Sequence, residues 1–384
     1  MNQHKISVLI PYKQRLDNLR LVFEGLTKQK MDKSDFEVVV GVMEYCSKYL
    51  ELCREYNNKL KIVSVMSEDS FSIPKARNLA MKQASGEIAL QMDADTLLSP
   101  YSLQRLYDEN FSFGQKICIV GQVVGYDNNS GGDIKHIDIH PFIKYEEELD
   151  KLEKSQGSSK DPRFQVSHVI PWAFGWTGLI AIPLSLVKSY NLYFDETFSG
   201  WGVDDLEWSY RISKNHIPIA LKENIRALHL PHTRDQSSNA KSEEKNYLTF
   251  IKKWSTIDVE LAYVLGDIEA NNAFVEYKYS IRNILTKSTN SLSLIKCLIN
   301  DESSAFIGVE VDENMEIVDH KIRNLIDKGI KYEIKPIIGI AIPYKNCELE
   351  RCYITARVLS MPTKYKDLII SEAARISKSY EILD

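Results

Sequence analysis

Two acidic clusters and a pair of histidines are the residues of this 384-residue chain best suited to chemistry. Asp93-Ala94-Asp95 follows the apolar run Ile88–Met92, which reads as a strand. On extended backbone, residues i and i+2 point to one side, so both carboxylates are expected to face one spot. There they could seat a hard divalent cation bridging phosphate oxygens. Asp204, Asp205 and Glu207 open a helix predicted over Asp204–Ile212, directly after Gly200-Trp201-Gly202. The first-turn amides and helix dipole are expected to keep Asp205 ionised and aimed outward. The glycines beside Trp201 give a closing segment its backbone freedom. His229 and His232 lie at the end of a strand predicted over Ala227–Leu230. Each cluster also has a plainer reading: a solvated turn, acids that complement a dipole, a Trp anchoring a turn, strand-edge histidines. Glu207 and Arg211, four apart on one helix, read as a surface or structural ion pair.

The surrounding pattern says what must position these groups. Strands are predicted at Ile6–Ile10, Phe36–Val42, Lys61–Val65, Ile88–Met92 and Ile117–Val120. Helices alternate with them at Leu16–Leu26, Tyr45–Tyr56, Ser72–Gln83 (capped by Ser72, stopped near Gly86) and Leu103–Tyr107. That alternation means an α/β layer with a mostly parallel sheet, whose ligands gather beyond the carboxyl ends of the strands. Residues 127–132 read as loop, and Glu146 to Lys160 as a charged, exposed helix. A polar stretch at Asp235–Lys245 marks a boundary, giving a domain over 1–245 and a smaller α/β or helical domain over 246–384. In the latter, Ala305–Val311, Lys321–Lys328 and Pro336–Ile342 carry element patterns. The tetrapeptide Ile-Pro-Tyr-Lys at 10–13 recurs at 342–345 without sustained self-similarity, so coincidence is the default reading.

Composition narrows the function classes. Lys+Arg number 48 against 53 Asp+Glu, a net charge of -5 that argues against a nucleic-acid partner. Six cysteines (46, 53, 118, 297, 347 and 352) form no CxxC pair and read as reduced thiols. No signal-peptide pattern precedes the first strand, so the expected location is the cytoplasm. Val169 to Val187 is uncharged, but Pro171, Pro183 and two glycines interrupt it. It is expected to be a buried loop, strand and helix start rather than a membrane span, which still allows peripheral attachment to a membrane.

In combination the motifs carry a resemblance. Ile6-Ser-Val-Leu-Ile-Pro-Tyr-Lys13, Ala76-Arg77-Asn78-Leu79-Ala80 and Asp93-Ala94-Asp95 together resemble the GT-A fold of family 2 glycosyltransferases. Gly200-Trp201-Gly202-Val203-Asp204-Asp205-Leu206-Glu207 is similar to the GWGxED segment of β-1,4-galactosyltransferases and bacterial chondroitin-type polymerases. His229-Leu230-Pro231-His232-Thr233-Arg234-Asp235 is similar to the galactosyltransferase MxxHSRD segment. The matches run in order over residues 6–235, and the C-terminal part has no such counterpart.

The resemblance implies a Rossmann-like GT-A catalytic domain and a role for each matched residue. Pro11, Tyr12, Lys13, Arg15, Phe71, Arg77, Asp93, Ala94 and Gly202 would hold the nucleotide-sugar, Phe71 packing on uracil. Asp95, His229 and His232 would bind a divalent metal, His229 standing where the family has Met. Imidazole there favours Mn²⁺ while allowing Mg²⁺. Asp204, Trp201 and Trp176 would face the acceptor, and Asp205 would be the catalytic base. The implied reaction is inverting transfer of a hexose (Gal, GalNAc, Glc or GlcNAc) from a UDP-sugar to a hydroxyl of a saccharide, lipid-linked or peptide acceptor. The cation would offset leaving-group charge while Asp205 takes the acceptor's proton. Two other readings stay open: a retaining polypeptide hexosaminyltransferase, and a carbohydrate-binding protein of the same fold without turnover. Residues 246–384 would recognise the acceptor or mediate a homodimer.

Overall fold

The computed structural model describes residues 4–125, 133–155, 160–326 and 331–383. The chain divides into two compact units, Met1–Val166 with Pro171–Asn246, and Ser167–Ile170 with Tyr247–Asp384. The expected loop at 127–132, residues 156–159 of the charged segment, and positions 327 and 328 of the later helix lie outside the described residues.

The first unit alternates β1 (Ile6–Tyr12), α1 (Leu16–Thr27), β2 (Phe36–Val42), α2 (Ser47–Tyr56), β3 (Ile62–Met66), α3 (Ile73–Gln83) and β4 (Ile88–Met92). It continues with β5 (Thr96–Leu98), α4 (Ser102–Asn110), β6 (Cys118–Val124), α5 (Phe142–Lys154), β7 (Leu179–Pro183), α6 (Leu184–Ser189), α7 (Asp204–Lys214) and β8 (Ile219–His229). The unit ends within α8 (Gln236–Lys253). One eight-stranded sheet runs in the order β3-β2-β1-β4-β7-β6-β8-β5. The pairs β3–β2, β2–β1, β1–β4 and β6–β8 are parallel; β7 runs antiparallel to both its neighbours, and β5 to β8. This is the mostly parallel α/β sheet expected of a GT-A-like fold. The near-continuous apolar runs of β1 and β2 are buried on both faces, as parallel strands sandwiched by helices must be.

Local chemistry explains the helices. In α1 the apolar positions Leu19, Val22, Phe23 and Leu26 line one buried stripe. Ser72 accepts from the Lys75 amide and caps α3, with Pro74 in the first turn. Gly86 is not the stop for that helix, which ends at Ala84. A Cβ at Gly86 would lie 2.6 Å from the Ser7 nitrogen, so the glycine serves a close approach to β1. Gly41 does the same on β2, where a Cβ would lie 1.9 Å from the Ala76 carbonyl oxygen of α3. Helix α5 is not wholly exposed: Tyr145, Leu149 and Leu152 are buried, and Glu153 pairs with Arg105. The uncharged stretch becomes a 3₁₀ turn (Pro171–Phe174), β7 and α6. Among the described residues no helix is long and apolar enough to cross a membrane.

The second unit holds α9 (Ile257–Leu265), α10 (Asp267–Asn283), β9 (Ser291–Ile299), β10 (Glu302–Val311), α11 (His320–Leu325), β11 (Glu333–Lys335), β12 (Leu349–Thr355), α12 (Thr363–Ile376) and β13 (Ser377–Leu383). Its sheet runs β11-β9-β10-β12-β13. The expected strand Pro336–Ile342 is instead buried irregular backbone. Its amides bond side chains in place of a ladder: Ile338 and Gly339 donate to Glu260, and Ile342 to Glu372. The two Ile-Pro-Tyr-Lys copies are therefore not structural equivalents, since only the first lies in a strand.

Candidate active site

The acidic and histidine motifs meet at the carboxyl edge of the large sheet. Residues 93–96 form a turn, closed by the Thr96 amide on the Asp93 carbonyl (3.1 Å), rather than extended backbone. The extended-backbone premise therefore does not hold, and the two carboxylates have different partners. Asp95 lies with His229 and His232, and Asp93 with Arg77.

Asp95 is almost wholly buried. Pairing of Thr96 with His229, and of the Leu230 amide with the Asp95 carbonyl (2.7 Å), locks the β5 turn to the end of β8. Asn18 on α1 donates to the Pro231 carbonyl (3.0 Å) and fixes the segment between the histidines. The Nε2 atoms of His229 and His232 each lie 3.8 Å from an Asp95 oxygen. One ligand atom from each of the three residues falls within 4.8 Å of the others. Two ligands each about 2.1 Å from one ion are at most about 4.2 Å apart, so a sub-ångström contraction would bring them into range. The fit is also chemical. Among the described residues Asp95 Oδ1 is buried without a hydrogen-bond partner, and burial, followed by the Arg15 charge, pushes the His232 imidazole toward its neutral form. Arg15 donates to the other Asp95 oxygen, and Arg15, His229 and His232 hold this carboxyl below its usual range against the cost of burial. Gln14 and Arg15 both have a φ of 57°, a left-handed turn that delivers the guanidinium there.

The remaining donor-side candidates lie in or after β1, β3 and β4, except Gly202, which precedes α7. Lys13 Nζ sits 4.7 Å from the centre of the Phe71 ring, which is 41% exposed. Pro11 and Gly202 are half-buried and Ala94 is buried. Tyr12 departs from its expected role: its ring is buried in the core, stacked on Tyr49 at 4.8 Å, because it ends a strand covered by α2. Only its backbone can face a nucleotide.

The second cluster is organised by Arg77 on α3. Its Nη1 donates to Asp204 Oδ2 (2.5 Å), and its Nη2 to Thr177 Oγ1 and Asp93 Oδ1 (3.3 Å). Asp205 is half-buried, its Oδ1 accepting from the Leu206 amide (2.9 Å). Three carboxylates thus face one guanidinium. Burial lifts the Asp204 carboxyl to about 7 and raises that of Asp205 as well, while Arg77 stays cationic among them. Two expectations change. Asp204 is only 4% exposed and tied to Arg77, so it does not present that oxygen to an acceptor. For Asp205, burial raises the carboxyl despite the Arg77 charge and the Leu206 amide, so it is more basic than an exposed one. Glu207 and Arg211 do pair (2.9 Å), but Glu207 is fully buried and the pair is internal, with Arg211 also holding the Tyr193 carbonyl.

Trp201 is 46% exposed on a loop of unusual backbone: Gly200, Gly202 and Val203 have φ of 79°, 89° and 72°. For the β-branched Val203 that is strained, and such strain collects at functional segments. Buried Asn246 on α8 donates to the carbonyls of Ser199 (3.1 Å) and Gly202 (2.9 Å), and Ser242 accepts from the Trp201 amide (3.2 Å). Trp176 is half-buried, with the guanidinium of fully buried Arg163 4.4 Å from its ring centre. Sequence reasoning missed Thr177, Glu243 and Asn246. No motif marks them, and only the fold brings them to the site.

Comparison with known proteins follows this geometry. Residues 7–168 match the family model "Glycosyl transferase family 2". The chain is 26% identical over 275 residues to validoxylamine A glucosyltransferase of Streptomyces hygroscopicus subsp. jinggangensis (strain 5008), covering 68% of this chain and 63% of that protein. It thus spans about three-fifths of the length of that relative. Over 103 residues it is 35% identical to the poly(ribitol-phosphate) beta-N-acetylglucosaminyltransferase TarS of Staphylococcus aureus (strain Mu50), 26% of this chain and 18% of TarS. A crystal structure of S. aureus TarS 1–349 in complex with UDP-GlcNAc superposes with a TM-score of 0.47 at 19% identity, over 67% of this chain and 66% of that one. Residues 7–168, most of which fall in the first unit, are thus similar in sequence to glycosyl transferase family 2.

Proposed function

We propose that the chain is a metal-dependent, inverting glycosyltransferase that moves a hexose from a UDP-sugar to an acceptor hydroxyl. The carrying observation is the division of labour at the sheet edge. Asp95, His229 and His232 form one polar cluster, and Arg77 gathers Asp93 and Asp204 into a second that has Asp205 beside it. A divalent ion, Mn²⁺ or Mg²⁺, held by the first cluster would supply Lewis-acid stabilisation of a diphosphate leaving group. Lys13 and Arg15 bring further positive charge to that side. Asp93 and Arg77 would hold the donor sugar, with Phe71 under the base. Asp205, more basic than an exposed carboxylate, takes the acceptor proton, and Trp201 covers the donor sugar. The names of the relatives favour glucose or N-acetylglucosamine as the transferred sugar over galactose. The test is UDP release from a panel of UDP-sugars with and without Mn²⁺, and the anomeric configuration of the product by NMR. Metal-stimulated release with inversion is expected; absence of release from every donor, or retention, would overturn the reading.

A further inference from the structure

The acceptor side of the site is incomplete if Asp204 is locked on Arg77, and α8 supplies a candidate to complete it. Glu243 lies on α8 between Ser242 and Asn246, the two residues that anchor the Gly200–Gly202 loop. It is half-buried, and among the described residues its carboxylate has no hydrogen-bond or ion-pair partner. A Cβ placed on Gly202 would lie 3.6 Å from Glu243 Cγ, so the side chain packs directly beneath the loop glycine. Burial and the nearby Asp205 charge both raise its carboxyl, which puts the two acids in one electrostatic neighbourhood. A carboxylate left without protein donors, and held on a helix by two anchored neighbours, suits a ligand that brings donors of its own.

We propose that Glu243 binds an acceptor hydroxyl adjacent to the one that reacts at Asp205, so that the site selects a vicinal diol. This rests on the glycosyltransferase reading. Two carboxylates accept from two neighbouring O–H groups, a pattern offered by saccharides, cyclitols and open-chain polyols and lacking in a serine or threonine side chain. Glu243 thereby narrows the acceptor classes left open by the motifs, disfavouring peptide.

The test measures UDP release at saturating UDP-sugar and Mn²⁺ for the wild type, Glu243→Gln and Glu243→Ala. The acceptor probes are a pool of methyl glycosides and ribitol, and separately a Ser/Thr peptide. The expected result is stimulation by the diol pool and not by the peptide. KM for the pool should rise about 10- to 100-fold in both variants, the worth of a charge-assisted hydrogen bond. UDP affinity by calorimetry should be unchanged. A second reading needs no acceptor: the pH profile of UDP-sugar hydrolysis. The groups facing Asp205 are Arg77 from α3, Asp93 after β4, Asp204 on α7 and Glu243 on α8. Removing the Glu243 charge should move the acid limb to lower pH. An unchanged KM, peptide preferred over diol, or, where the pool gives no stimulation, an unmoved acid limb would overturn the inference alone. A wild-type chain that releases no UDP at all would overturn the function and this inference with it.

Discussion

Arg77 and Asp204, 127 residues apart in sequence, form a buried ion pair whose Nη1 and Oδ2 atoms are 2.5 Å apart. Both side chains are at most 7% exposed. Removing one partner leaves the other charge buried, which typically costs about 3–5 kcal/mol. Arg77→Met should therefore lower unfolding free energy by about that amount in urea titrations. Arg77→Lys should fold better but lose turnover, because an ammonium cannot reach Asp93, Thr177 and Asp204 together in a fixed fork.

Metal dependence follows from the Asp95 cluster. Asp95→Ala should abolish the Mn²⁺-stimulated component of UDP binding in calorimetry. His229→Ala and His232→Ala should each weaken it by at least about tenfold, since even the hydrogen-bond partners of metal ligands are worth that much. UDP affinity indifferent to EDTA would contradict the assignment.

Asp205→Asn keeps the shape of the side chain and removes its basicity. Turnover should fall by about 10²–10⁴-fold, the usual effect of a positioned base, with UDP binding retained. Because burial raises the Asp205 carboxyl, wild-type activity should decline on acidification above the ordinary carboxylate range. The residual activity of the variant should lack that limb.

In the second unit, burial lifts the Glu260 carboxyl to about 7 although Tyr277 and two amides donate to it. The folded chain thus favours the acid form over an unfolded chain with a pKa of about 4.3. The sign is fixed: this contribution is fully present below about pH 4 and is lost as pH rises through 7. Glu260→Gln should remove that dependence, so the wild type should lose unfolding free energy relative to the variant from pH 5 to pH 8. A constant difference would show that Glu260 does not titrate there.

Asn246→Ala removes the amide that holds the Ser199 and Gly202 carbonyls. A loss of about 1–3 kcal/mol is expected for the buried groups left unpaired. Limited proteolysis should cut near residue 200 faster, and the Trp201 emission change on adding UDP-sugar and Mn²⁺ should shrink.

Much of this was legible in the sequence because local rules acted alone. The strand and helix alternation, the Ser72 cap and the acids opening α7 depend on neighbours in the chain, and all stand in the structure. The Asp93–Asp95 spacing presumes extended backbone, but the strand ends at Met92 and in the turn that follows the two carboxylates have different partners. Pro336–Ile342 looked like a strand because apolar runs do not reveal whether a ladder partner exists, and Glu260 satisfies those amides instead. Asp204 matches an acceptor-holding position of the motif, and nothing local announces Arg77 as its partner. Glu243 sits in, and Asn246 just after, a polar stretch that reads as a boundary, and only the path of α8 makes them part of the site.

Gly41 lies wholly inside the sheet, yet it sets how closely α3 approaches β2, and Arg77 is the residue after the carbonyl it accommodates. Any side chain at 41 would lever the guanidinium away from three carboxylates at once. In a saturation scan of this chain scored by turnover, position 41 should therefore show the intolerance of a substrate-contacting residue, although the lesion is one of spacing. A compensating change would be sought on the underside of α3, not around the donor.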